Sequence, residues 1–167
     1  MIYFFDTEFL ETALGDGQVK IELISIGIVS EDGDEFYAEN IDFDWSKLSD
    51  DEWLVKNVKP HLKGGKCAMS IETMRSDLES WLDDDPKWWA WVGAHDWLCL
   101  LSIWGRLLDR PKGWANRYVE QRSWVESKGY KGRGGLPRLN EDIAHDALED
   151  AKWNREVWLF VKQEHDI

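Results

Sequence analysis

The run KIELISIGIV at residues 20–29 constrains the fold more than any other part of the chain. It is rich in Ile and Val, which fit a pleated and half-buried surface, so it reads as a strand. Upstream, residues 2–5 are apolar and aromatic and read as a buried strand, with Gly15-Asp16-Gly17 as the turn between the two. Downstream, Glu31-Asp32-Gly33-Asp34 is a hairpin turn and residues 35–39 return as a third strand. Residues 42–63 are acidic and irregular, with a short helix over 50–58 that ends before Pro60. Apolar positions Ile71, Met74, Leu78, Trp81 and Leu82 recur with a helical period, which predicts a helix over 70–82. A buried strand over 88–92, a helix over 97–108, a short strand at Tyr118 and Val119, a helix over 120–128, a Gly-rich loop over 129–137 and a closing helix over 146–162 complete the pattern. Three antiparallel strands followed by alternating helices and strands predict an α/β fold. Its central sheet would be mixed, antiparallel then parallel, and flanked by helices. A chain of 167 residues, 43% hydrophobic, suits a single domain over 1–167.

Only two cysteines are present, Cys67 and Cys99, without the spacing of a zinc site, and this leads us to expect a reducing, cytoplasmic setting. The first residues reach an acid within six positions and read as a strand rather than a signal peptide. No apolar run approaches the length of a membrane span, so no membrane partner is expected. Twelve tryptophans are far above ordinary usage; they pack a core, or one or two of them stack on nucleobases. The net charge of −13 argues at first against nucleic acid, but its distribution does not. Residues 106–138 hold nine basic and three acidic side chains, a local charge of +6. Such a stretch is either a solvated surface or a path for phosphates, with Lys131, Arg133 and Arg138 in the loop best placed to act on a strand.

Chemistry concentrates in three separated clusters: Asp6 and Glu8 in FFDTEF, Asp96 in WVGAHDWL, and His145 with Asp150 in HDALED. Side chains alternate across a strand, so Asp6 and Glu8 share a face and Thr7 points away. Carboxylates gathered at one point repel, by roughly 4 kcal/mol per pair at about 4 Å and an effective dielectric near 20. Such a cluster persists only if its members protonate or if cations lie between them. Hard oxygen donors suit Mg²⁺ or Mn²⁺. Residues five apart do not share a helix face, so His145 should lie in the loop ahead of the helix that bears Asp150. Asp96 could instead cap the helix that follows it. His95 reads as structural, and Phe9 either packs in the core or meets a base.

In order and context these motifs match those of the DEDD superfamily of exonucleases, and the His-x4-Asp spacing is similar to its histidine subclass. IELISIG, WAWVGAHDW with Trp104-Gly105, and HDALEDA resemble the mycobacterial type of polyadenylate-specific 3′-exoribonuclease, over residues 2 to about 160. The resemblance implies an RNase H-like fold and a metal-dependent 3′–5′ exonuclease acting on single-stranded RNA and releasing nucleoside 5′-monophosphates. It implies two Mg²⁺ or Mn²⁺ ions held by Asp6, Glu8, Asp96 and Asp150, His145 as general base, and contacts from Thr7, Phe9 and His145 to the 3′ end of the substrate. A homodimer is implied as well. Phe9-Leu10-Glu11 replaces the Thr-Gly common after the first motif, and Val92-Gly93-Ala94-His95 replaces an Asn-bearing stretch before Asp96. Both departures agree with the mycobacterial type. The rival readings are a DNA exonuclease and a catalytically silent RNase H-like module that binds nucleic acid or a partner protein.

Overall fold

The computed structural model describes residues 1–49, 52–140 and 143–167. Among these residues six strands form one sheet, β1 (Ile2–Gly15), β2 (Gln18–Ser30), β3 (Glu35–Asn40), β4 (Ala68–Met69), β5 (Lys87–Ala90) and β6 (Tyr118–Glu120), in the order β4-β3-β2-β1-β5-β6. The pairs β1–β2 and β2–β3 are antiparallel, whereas β1–β5, β5–β6 and β3–β4 are parallel. The expected α/β architecture with a mixed sheet is therefore present.

The helices are α1 (Trp53–Asn57), α2 (Ile71–Trp81), α3 (Ala94–Ser102), α4 (Gln121–Ser127) and α5 (Ala147–Glu164). The helix expected over 50–58 is α1, and Asp50, its expected start, lies outside the described residues. Alternation along β1 divides the core. Tyr3 and Phe5 join Met74, Leu78, Cys99 and Leu100 from α2 and α3 on one face. Phe4 meets Trp158 of α5 on the other, with ring centroids 5.4 Å apart. Edge-on and tilted aromatic pairs fill both layers, Phe5–Trp88 and Trp104–Trp114 among them, which accounts for most of the tryptophan content as packing. Ser70 caps α2 by accepting from the Thr73 main-chain N–H at 3.2 Å.

Three expectations are corrected. The strand read over 2–5 extends to Gly15, because β2 pairs with it along its whole length despite the acids at 6, 8 and 11. The helix read over 97–108 begins and ends earlier, at Ala94 and Ser102, followed by a separate 3₁₀ turn at Leu107–Asp109. Its N-cap is Gly93, so Asp96 is not a cap but lies in the first turn. A Cβ at Gly93 would fall 2.3 Å from that of Ala90, and the sharp exit from β5 requires a glycine there. Finally, two-residue β4 was not expected.

Candidate active site

The pairing of β5 with β1 ends at Phe4 and Trp89, so among the described residues the edge of β1 away from β2 has no strand neighbour from Asp6 onward. The chain turns there into α3, whose first turn delivers Asp96 to the open edge. The Thr7 main-chain N–H, which a longer β5 would have bonded, donates to Asp96 Oδ1 at 3.0 Å, and the Thr7 hydroxyl donates to the same oxygen at 2.7 Å. Both Thr7 protons are thus engaged by this carboxylate, which is 8% exposed.

From the opposite face α5 brings Asp150. Asp6 lies across from Gly27 on β2, where an added Cβ would fall 2.3 Å from Ala147 O and from Leu148 N and Cα. Only a glycine lets the first turn of α5 rest on β2 beside Asp6. Between Glu8 and Phe9 the β1–β2 register slips, leaving Ile24 as the extra residue of a bulge. Ile24 then packs with Phe43 and Val58, while Leu23 faces the main core. The bulge re-aims the ladder next to the carboxylates, as bulges near functional sites do.

His145 lies ahead of α5, outside the helix, as its five-residue distance from Asp150 predicts. Its backbone is left-handed, with φ of 70°, a conformation that costs a non-glycine residue about 1 kcal/mol or more. Three hydrogen bonds hold that corner: His145 N–H donates to Asp150 Oδ2 at 3.1 Å, and Asp146 caps the helix by accepting from Leu148 N–H and Glu149 N–H. Glu8, His145 and Asp150 offer ligand atoms that all lie within 4.8 Å of one another. Asp6 and Asp96 stand beside this triad.

The electrostatics of the cluster is that of anions out of water. Burial, with the charges of Asp96, Asp150 and Glu8 added, raises the Asp6 carboxyl well above the usual range. Burial, then Asp150 and Asp96, pushes Glu8 up to about 9. Asp96 and Asp150 are also raised by burial, against the hydrogen bonds from Thr7 and His145. The opposing positive charge acting on both Asp6 and Asp150 is Arg133. Among the described residues, Asp150 Oδ1 is buried and has no hydrogen-bond partner. Hard anionic oxygens with an orphaned buried acceptor fit a divalent cation, and the residues present therefore suit such an ion.

Phe9 is partly buried against the core and stacks on His95, with centroids 5.5 Å apart and planes 25° from parallel. His95 is exposed and lies 3.9 Å from Glu11. Of the basic stretch, Arg106 pairs with Asp109 and Arg122 with Glu126. The guanidinium of Arg133 lies 4.8 Å from the centre of the Trp153 ring. Together with Leu136, Pro137, Arg138 and Leu139 it lines a cleft of about 480 Å³. Sequence reasoning missed Trp53, whose ring stands perpendicular to that of His145 at 4.5 Å, because nothing in its irregular, acidic surroundings marks it.

Two curated relatives share this chain's sequence at similar length. Both are 3′-5′ exoribonucleases by name, Rv2179c of Mycobacterium tuberculosis strain H37Rv and MT2234.1 of strain CDC 1551. Each is 39% identical over 158 residues, covering 91% of this chain and 88% of the relative. The sequence profile described as the 3′-5′ exoribonuclease Rv2179c-like domain matches residues 1–162. The chain therefore belongs to the Rv2179c-like 3′-5′ exoribonuclease family, and is a hydrolase of the exonuclease kind.

Proposed function

We propose that this protein is a divalent-metal-dependent 3′–5′ exoribonuclease of RNase H-like fold and of the DEDD histidine subclass. It removes nucleoside 5′-monophosphates one at a time from the 3′ end of single-stranded RNA. The observation that carries the reading is the meeting of Glu8, His145 and Asp150 beside Asp6 and Asp96, with a buried carboxylate oxygen that has no partner among the described residues. Glu8, Asp150 and Asp6 would hold one Mg²⁺ or Mn²⁺ ion, and Asp96 with Asp6 a second. Bound there, such ions acidify water and neutralise charge on the scissile phosphate.

The chain's own residues do the rest. Thr7 holds Asp96 in place through two hydrogen bonds. The bond from the His145 main-chain N–H to Asp150 holds the backbone of the histidine against a carboxylate of the cluster. His145 takes the proton of the attacking water as the bond from phosphorus to the O3′ of the penultimate nucleotide breaks. Arg133, whose charge acts on Asp6 and Asp150, offers positive charge to the phosphates. We extend the reading to one exonuclease domain over 1–167, to a cytoplasmic enzyme, in keeping with two free cysteines, and to a homodimer.

The test uses RNA and DNA oligomers of one sequence, labelled at the 3′ or the 5′ end, with Mg²⁺, Mn²⁺ or EDTA. RNA should shorten from its 3′ end faster than DNA, only with a cation, and fastest with an adenine-rich end. Equal or faster digestion of DNA would overturn the choice of substrate, and activity in EDTA would overturn the metal.

A further inference from the structure

The corner that carries His145 is braced from a part of the chain that holds none of the clustered acids. Glu39, near the end of β3, is a buried acid. Its carboxylate accepts from the Tyr37 hydroxyl at 2.9 Å, from the Lys63 main-chain N–H at 2.5 Å and from the Gly64 N–H at 3.1 Å. Gly64 has φ of 61° and ψ of −156°, a region open in practice only to glycine, yet nothing crowds it. The backbone is bent there to bring two successive N–H groups onto one carboxylate, not to avoid a neighbour. This anchoring fixes where the Lys63 side chain leaves the loop. Its ammonium lies 4.1 Å from the centre of the Tyr37 ring and 3.4 Å from Asp146 Oδ2. The two oxygens of Asp146 are thus divided: Oδ1 accepts from the Leu148 and Glu149 N–H groups and caps α5, while Oδ2 meets Lys63. Tyr37 itself packs against Leu148 and Ala151 of the same helix. An exposed ion pair alone holds little, but this one joins a buried carboxylate at its backbone end to a nearly buried one at its charged end.

We propose that Lys63, anchored by Glu39, is a positioning residue for catalysis: it holds Asp146, and through it the left-handed corner that sets His145 and Asp150 against Glu8. The inference rests on the exoribonuclease reading, in which those residues supply the base and the ligands. A left-handed backbone at a histidine persists only where its surroundings over-determine it. Asp146 is the next residue, and fixing both of its oxygens fixes the chain at that point. Without the ammonium, the carboxylate still caps the helix but is free to turn. The corner then relaxes toward an ordinary conformation and carries the imidazole with it.

The experiment is a double-mutant cycle on Lys63 and Asp146. Turnover and KM on labelled RNA with Mg²⁺, and Mn²⁺ affinity by calorimetry, are measured for the wild type, Lys63→Met, Lys63→Arg, Asp146→Asn and the Lys63→Met/Asp146→Asn double variant. Met keeps the stem without the charge, and Asn keeps an oxygen for the cap without the charged partner. Lys63→Met should lower kcat by about tenfold, with KM within about twofold of the wild type, and weaken Mn²⁺ binding severalfold. Lys63→Arg should restore most of both, because a guanidinium also pairs with a carboxylate and lies over a tyrosine ring. Asp146→Asn should match Lys63→Met, and the double variant should lose no more than about twofold beyond either, because both changes remove one pair. Assays run well below the melting temperatures, where a merely structural role would leave kcat unchanged. A higher KM with unchanged kcat would make Lys63 a substrate contact. Losses that multiply would mean that the two residues act independently, and unchanged kcat and Mn²⁺ affinity in Lys63→Met would leave the pair purely structural; each result overturns the proposal. Absence of hydrolysis by the wild type would instead sink the exoribonuclease reading, and the Mn²⁺ affinities of the same proteins would still decide whether Lys63 holds the site.

Discussion

The glycine at position 27 should be as necessary to the active site as any of its acids. A Cβ placed there would fall 2.3 Å from three main-chain atoms of Ala147 and Leu148, where ordinary contact begins at 3.4 Å. Because the obstacle is backbone, no side chain can swing aside; the first turn of α5 has to retreat by roughly 1 Å. Overpacking of this kind costs about 1–3 kcal/mol, and a backbone clash belongs at the upper end. At about 2–4 °C per kcal/mol for a chain of this size, Gly27→Ala should lower the melting temperature by roughly 5–10 °C. The retreat carries Asp150 and His145 away from Asp6 and Glu8, and a misplacement of about 1 Å can reduce turnover about 100-fold. Thermal melts in EDTA, calorimetric titration with Mn²⁺ and turnover on labelled RNA read the three effects separately. A variant that melts within about 2 °C of the wild type and binds Mn²⁺ as tightly would show that the approach of α5 at Gly27 does not set the geometry of the site.

Asp6→Asn should abolish turnover yet raise the melting temperature of the metal-free protein by a few degrees, because it removes an acid whose ionisation burial and its acidic neighbours oppose; a lower melting temperature in EDTA would contradict this. Glu8 binds a proton more tightly folded, at about 9, than in its ordinary range, so its contribution to stability is complete below about 4.5 and is lost as pH rises through 9. The metal-free protein should therefore melt higher at pH 6 than at pH 8.5, and saturating Mn²⁺ should narrow or reverse that difference; a metal-free melting temperature that climbs over the same interval would refute it. His145→Ala should lower turnover by roughly 100- to 10,000-fold and flatten the acid limb of the pH–rate profile, while leaving RNA affinity in Ca²⁺ nearly unchanged. An intact acid limb in that variant would assign the proton to another group.

What could be read from the sequence was whatever local pattern decides. The meander of β1 to β3 is written in Ile and Val runs punctuated by glycine turns, and α2 in a clean helical period behind Ser70. The place of His145 outside α5 follows from counting five residues to Asp150. Long-range contacts decided the rest. The tail of β1, from Phe9 to Gly15, has no strong strand character of its own and is a strand because β2 pairs with it. Helix α3 begins at Ala94 because Gly93 has to clear Ala90, a contact that no local preference announces. The candidate ligands were legible because chemistry restricts which residues can serve, whereas the meeting of Trp53 with His145 joins residues 92 positions apart in an otherwise unremarkable stretch.

The order in which the ligands enter the chain has a consequence for synthesis. Asp6 and Glu8 lie on the first strand, Asp150 on the last helix, and Asn154 of that helix donates to Phe5 O across the whole sequence. At about 5–20 residues per second, a ribosome adds Asp150 roughly 7–30 s after Asp6. Throughout that interval the early sheet can form without the full burden of charge repulsion, because the cluster is incomplete. The growing chain, held beside messenger and ribosomal RNA, lacks both the last carboxylate and the histidine. On the proposed assignment of ligands and base, a nuclease arranged in this order would be switched on only by the docking of the helix that carries Asp150.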